Sequence, residues 1–174
     1  VLTIAGSDPS GGAGIQADLK TMCALGVFGL SAITAVTVQN TQKVYDVQEI
    51  RPEIVAGQID AVYSDIPVHA VKIGMVSEAG IIAIIRERLL FHGAENIVVD
   101  PVMVSKSGYR LLREEAERAM GMLISIAGLV TPNIPEAELL TGMTIENEEQ
   151  MAQAAHRIRE MGARAVLVKG GHLP

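Results

Sequence analysis

Tryptophan is absent from this 174-residue chain, aromatic residues make up only 3% of it, and Cys23 is its single cysteine. With 49% hydrophobic residues and so few rings, any core has to be built from Val, Ile, Leu, Ala and Met. One cysteine excludes an intrachain disulfide framework and points to a reducing, cytoplasmic setting. Its apolar neighbours in the helical stretch Ala17–Leu25 make core packing the expectation for Cys23. No apolar run approaches the roughly 20 residues that span a bilayer, and no basic targeting segment opens the chain. Positive charge is in deficit as well. Fourteen Lys and Arg against twenty Asp and Glu leave a net charge of −6, which argues against a nucleic-acid or anionic-membrane surface. Phosphate ligands stay open, because backbone N–H groups at a helix N-terminus bind them without a basic side chain. His69, His92, His156 and His172 show no metal-ligand spacing among themselves or with Cys23, and there is no Gly-x-Ser-x-Gly elbow.

What is present is alternation. Short β-branched runs at Val1–Ala5, Ser31–Val38, Ala70–Gly74, Asn96–Val99, Leu129–Thr131 and Ala165–Val168 read as strands. Segments of helical period separate most of them: Ile15–Leu25, Pro52 to about Tyr63, a helix capped by Ser77 and running to Phe91, Arg113–Ile126, Glu136–Leu140, and Glu148–Met161 capped by Asn147. Glycines 26, 93, 142 and 162 close four of these. Val44–Ile50 reads as a separate edge or lid strand. The pattern predicts α/β architecture in one domain, 1–174, with a mostly parallel sheet buried between helix layers.

In open sheets of this kind, ligands bind beyond the carboxyl ends of the strands. The residues at those ends are Gly6-Ser7-Asp8, Gln39-Asn40, Gly74-Met75, Asp100-Pro101, Asn133 and Lys169-Gly170-Gly171, a polar and Gly-rich set after apolar strands. The loop Gly6–Gly14 has glycines that allow close backbone approach to a ligand, and the helix after it offers free N–H groups. It is neither a Walker loop nor a clean Gly-x-Gly-x-x-Gly fingerprint, and a tight strand-to-helix turn is the plain alternative. Asp100 suits a Mg²⁺ site or a turn. Asn133 and Glu136 suit ligand binding or simple helix capping. Lys169 suits a nucleotide phosphate or a solvated strand end. A dinucleotide-binding reading fails, because Gln39-Asn40 stands where the second strand needs an acidic residue for the ribose.

Six ordered blocks then carry a resemblance: Leu2–Lys20, Thr37–Thr41, Val71–Met75, Val99–Gly108, Thr131–Ala137 and Val168–His172. Together they resemble the hydroxymethylpyrimidine/phosphomethylpyrimidine kinases of the ribokinase-like superfamily, along the whole chain and without a large gap. The resemblance implies a three-layer sandwich, with a central mostly parallel sheet and helices on both faces. It implies ATP- and Mg²⁺-dependent phosphorylation of 4-amino-5-hydroxymethyl-2-methylpyrimidine and then of its monophosphate, in thiamin diphosphate biosynthesis.

By the same resemblance, Gln39 bonds the aminopyrimidine edge, for which a carboxamide offers both donor and acceptor. Gly6, Ala13, Met75 and Val102 line the ring pocket, with Asp18 a polar contact nearby. Asp100 and Glu136 serve Mg²⁺; Asn133 and Glu136 serve the phosphates and their waters; Lys169 lies on the nucleotide side. The family's catalytic turn, an anion hole beside a base, falls beyond Pro174, so the kinase domain is expected to be incomplete at the C-terminal end and no catalytic base is assigned. A homodimer is implied, with no nucleic-acid or membrane partner. Two other readings stand beside this one: a pyridoxal or pyridoxine kinase of the same superfamily, which Gln39-Asn40 disfavours, and a truncated, non-catalytic small-molecule binding module.

Overall fold

The computed structural model describes residues 1–103 and 114–171. Among the described residues seven strands form one sheet: β1 (Leu2–Ser7), β2 (Leu30–Gln39), β3 (Val44–Glu49), β4 (Val71–Ile73), β5 (Ile97–Val99), β6 (Leu129–Val130) and β7 (Ala165–Val166). Six helices are interspersed: α1 (Gly14–Ala24), α2 (Pro52–Asp65), α3 (Ala79–Phe91), α4 (Glu114–Ile124), α5 (Ile134–Thr141) and α6 (Glu148–Glu160). The spatial order is β3-β2-β1-β4-β5-β6-β7. All neighbours are parallel except β2 and β3, so the Val44–Ile50 segment is an antiparallel edge strand.

This order creates the crevice. From β1 the chain moves outward to β2 and β3, then returns to lay β4 on the other side of β1. Connections leaving β1 and β4 therefore diverge, and a gap opens between them at the carboxyl edge. The residues of α2, α3 and α4 share one core cluster, which the residues of α1 do not join. α1 packs on β1 and β2, whereas α2 packs on α3 and α3 on α4.

Burial follows the two-residue period of the strands. Val71, Ile73 and Val99 are fully buried and Ile97 nearly so, all toward the α2–α4 layer with Ile59, Ile82, Ile85 and Leu89. Lys72 and Val98 point the other way and are half-buried. The aliphatic core expected from the shortage of aromatics is the one found: its largest buried side chains are Leu, Ile and Met.

Two local expectations are corrected. Cys23 is exposed, because α1 meets the sheet along a narrow seam in which only Ile15 is buried. Ser77 does not cap α3. The cap position is Glu78, which makes no side-chain cap bond, while Ser77 is buried in the turn before it. Asn147 caps α6 as expected, accepting from Gln150 N–H, and Gly142 ends α5 in the left-handed region at φ 67°. Residues 104–108 of the fourth resembling block, Arg113 and His172 lie outside the described residues.

Candidate active site

The Gly-rich loop after β1 is organised by its own carboxylate. Asp8 is 3% exposed. Its Oδ2 accepts from Gly12 N–H at 3.1 Å, Ala13 N–H at 2.9 Å and the Ser10 hydroxyl at 2.8 Å, and its Oδ1 accepts from Ser10 N–H at 2.8 Å. Burial alone raises a carboxyl pKa, but these hydrogen bonds outweigh it and hold Asp8 below its ordinary value. Gln16 closes the other side, accepting from Asp8 N–H at 2.8 Å and donating to the Ser7 hydroxyl at 2.7 Å. Part of the loop's own backbone is therefore already committed. The N–H groups of Gly12 and Ala13 already serve an internal anion. What the loop supplies is a rigid wall. Gly14 fixes its end: φ is +56°, and a Cβ there would lie 2.2 Å from the Gly6 carbonyl oxygen.

That wall bounds a cavity of about 550 Å³ at the carboxyl edge of the sheet. Gly6 and Ala13 come from β1 and its loop, Asp18 from α1, Gln39 from the end of β2, Met75 from the turn after β4, and Val102 from the turn after β5. Asp100, Asn133 and Glu136 line the same space. Every candidate named from the sequence is therefore on this wall except Lys169, which joins it through an ion pair with Asp100. Met75 lies across Gly6 so closely that a Cβ on the glycine would sit 2.5 Å from the methionine Cε. The Gln39 carboxamide lies 3.2 Å from Thr37 Oγ1, whose single hydrogen has the Ser7 carbonyl as a closer acceptor at 3.0 Å, so one polar end of the amide meets Thr37 and the other has no side-chain partner among the described residues. A smaller depression of about 250 Å³ lies at the opposite, amino ends of β5–β7, between Ile97, Ala127 and Arg164, and no carboxylate lines it.

The far end of the main cavity is charged. Lys169 Nζ donates to Asp100 Oδ1 at 2.8 Å, and the Thr131 hydroxyl donates to the same oxygen at 3.1 Å. An isolated bridge pairs Asn133 with Lys169, in the same register as β6 and β7 and three residues past their last pair, Val130 with Val166. Asn133 and Glu136 form a capping box: Asn133 Oδ1 accepts from Glu136 N–H at 2.9 Å, and Glu136 Oε2 accepts from Asn133 N–H at 2.8 Å. The capping alternative is thus realised, on residues that also line the cavity. Glu136 is 3% exposed. Burial pushes its carboxyl above the usual range and the charge of Asp100 adds to this, while the Asn133 N–H, Lys169 and the Met103 N–H pull it back only in part.

Lys72 was missed by the sequence reading. It stands in the middle of β4 and donates to Asp18 Oδ2 at 2.9 Å and Oδ1 at 3.1 Å, and the Thr3 hydroxyl donates to Asp18 Oδ2 at 2.6 Å. The signal was available: a lysine between Val71 and Ile73, in a strand otherwise apolar.

Comparisons with known proteins place the chain in a family. The family model described as phosphomethylpyrimidine kinase matches residues 8–174. The hydroxymethylpyrimidine/phosphomethylpyrimidine kinase of Rhizobium meliloti is 56% identical over 99% of this chain, which covers 65% of that protein. The chain spans less than two thirds of the length of the curated relatives it matches first. The crystal structure of phosphomethylpyrimidine kinase from Clostridium difficile 630 superposes with a TM-score of 0.93 at 54% identity, covering 99% of this chain and 75% of that one. Pyridoxal kinase from Staphylococcus aureus in complex with AMP-PCP is more distant, with 38% identity and a TM-score of 0.87 over 98% of this chain and 63% of that one.

Proposed function

This chain belongs to the phosphomethylpyrimidine kinase family, and on that premise we propose that it carries the pyrimidine side and part of the phosphate side of a kinase. The kinase moves the γ-phosphoryl group of ATP to the hydroxymethyl oxygen of 4-amino-5-hydroxymethyl-2-methylpyrimidine, and then phosphorylates the monophosphate. In the first step the substrate hydroxyl loses its proton and ADP leaves.

One observation carries the proposal. One cavity brings the small and apolar residues Gly6, Ala13, Met75 and Val102 together with the charged residues Asp100 and Glu136. The first four form a slot, which sandwiches a heteroaromatic ring and excludes water from it. Gln39, whose carboxamide offers a donor and an acceptor, pairs with the ring nitrogen and one amine hydrogen of an aminopyrimidine. Lys169 offsets phosphate charge as the group is transferred; positioning and charge stabilisation supply most of the catalysis in phosphoryl transfer.

The residues at the charged end fit Mg²⁺. Asp100 and Glu136 offer hard oxygen donors, and one lysine leaves their combined charge incompletely balanced. Among the described residues no three acidic, His or Cys side chains form a closed metal cage, which suits an ion that keeps its waters and shares phosphate oxygens. Asp100 and Glu136 would hold that ion, with Asn133 orienting Glu136, and when bound it would neutralise charge on the phosphates.

The exposed Leu25 and Phe28, 73% and 74% accessible, support a homodimer. The lone cysteine supports a cytoplasmic location, and among the described residues no helix is long and apolar enough to cross a membrane.

A second reading, pyridoxal phosphorylation, has the Staphylococcus aureus relative in its favour. The test is ATP-dependent phosphorylation by the complete gene product. The pyrimidine should be turned over to its diphosphate, and exclusive turnover of pyridoxal would replace the first reading by the second.

A further inference from the structure

Lys72 is out of place on ordinary grounds. A central strand of a parallel sheet is normally apolar on both faces, and a lysine ammonium in it is costly unless paired. Here the pairing is complete on one side: both Asp18 oxygens accept from Nζ, with side-chain exposures of 26% for Lys72 and 18% for Asp18. Such a pair is weak evidence for stability, because two apolar side chains of similar volume commonly serve a fold as well or better. Its value has to be sought in what it faces. Both residues line the cavity.

The hydrogen-bond inventory shows what is left over. An ionised carboxylate has about four acceptor positions. Asp18 uses two on Oδ2, for Thr3 and Lys72, and one on Oδ1, for Lys72. One position on Oδ1 remains, on a carboxylate clamped from β1 and β4. On the ligand side, an exocyclic aromatic amine carries two hydrogens. The Gln39 carboxamide can take one of these with the adjacent ring nitrogen; the second would be a buried donor without a partner unless the cavity supplies an acceptor.

We propose that Lys72 is a positioning residue for substrate selection: it fixes Asp18 as an oriented acceptor on the cavity lining, so that the site favours a heteroaromatic ring bearing an exocyclic amine over the same ring without one. This rests on the reading of the site as a pyrimidine kinase. Lys72 itself touches Asp18 and acts through it.

The experiment compares two substrates on the complete gene product: 4-amino-5-hydroxymethyl-2-methylpyrimidine and its analogue lacking the amine. In the unmodified enzyme the ratio of kcat/KM should favour the amine by roughly ten- to a hundredfold, because the analogue leaves buried acceptors of the site unpaired. Lys72→Met should reduce that ratio by about tenfold or more, mainly through KM for the amine, with KM for ATP unchanged; Lys72→Arg, which keeps the charge, should restore part of it. The double variant Asp18→Leu with Lys72→Met guards against loss of fold. An apolar pair should keep thermal stability at or above that of the unmodified protein, while the preference for the amine falls as it does in Lys72→Met.

A purely structural role would slow both substrates equally and leave the ratio where it was. Retention of the full preference in either folded variant overturns the proposal. If the unmodified enzyme phosphorylates neither pyrimidine, the functional reading itself fails and this inference falls with it.

Discussion

Lys169 and Asp100, 69 positions apart in the chain, meet at 2.8 Å beyond the carboxyl ends of β7 and β5. The contact closes the charged end of the cavity and gives the lysine a fixed place beside the paired Asn133 and Glu136. Their side chains are 46% and 26% exposed, so solvent screens the pair and its loss should cost less than about 1 kcal/mol of stability. The consequence should appear in catalysis. Lys169→Ala is expected to lower kcat/KM on the order of a hundredfold, measured in the complete gene product, with an unfolding midpoint close to that of the unmodified protein. A large drop in stability with turnover intact would make the lysine structural.

Asp8 is the reverse case, a charge whose work is in the fold. Replacing it by Asn removes acceptor positions for the N–H groups of Ser10, Gly12 and Ala13. A loss of about 1–3 kcal/mol at neutral pH is expected from urea unfolding. The sign of the pH effect follows from its lowered pKa. A carboxyl depressed in the native state adds stability above the ordinary carboxyl pKa, and that stability is lost as pH falls through the native value. Asp8→Asn should therefore flatten the acid side of the stability profile. An unchanged acid limb would mean that another carboxylate dominates it.

Two glycines separate fold from site. At Gly14, φ is +56° and the obstructing atom is the backbone oxygen of Gly6, 2.2 Å away. Gly14→Ala should cost more than about 1 kcal/mol, because neither backbone can yield. At Gly6 the obstruction is the far end of Met75, 2.5 Å away, and a thioether can swing aside. Gly6→Ala should fold, with the displaced methionine narrowing the slot and raising KM for the pyrimidine by about tenfold. Calorimetry and steady-state kinetics on the pair check this. Equal destabilisation of both would show that Met75 cannot move.

Gln39→Ala should weaken pyrimidine binding by about 1–3 kcal/mol, the cost of losing buried hydrogen bonds to the ring. Isothermal titration measures it directly, and an unchanged dissociation constant would remove Gln39 from the site.

Much of this was legible from residue patterns alone. The ends of the apolar runs at Gln39, Asp100 and Lys169 marked the carboxyl edge, because a parallel strand stays apolar until it leaves the sheet. Alternation at Val44–Ile50 marked an edge or lid strand, and the structure makes it the antiparallel edge. What escaped depended on contacts between distant segments. Asp8 was visible at a strand end, but nothing local said that its side chain would fold back and occupy the loop's own N–H groups. Lys72 sat inside a resembling block and looked like part of it; only the approach of α1 gives it Asp18. Cys23 had apolar sequence neighbours, yet packing is decided by which side of α1 meets β1 and β2. Ser77 had cap chemistry one residue too early.

The most direct test of the central claim is a side-by-side phosphorylation assay on the complete gene product, with ATP and either hydroxymethylpyrimidine or pyridoxal, compared as kcat/KM. The expected result is a strong preference for the pyrimidine, followed by appearance of its diphosphate. A preference for pyridoxal would contradict the assignment of Gln39 to the aminopyrimidine edge while leaving the fold and the phosphoryl chemistry in place.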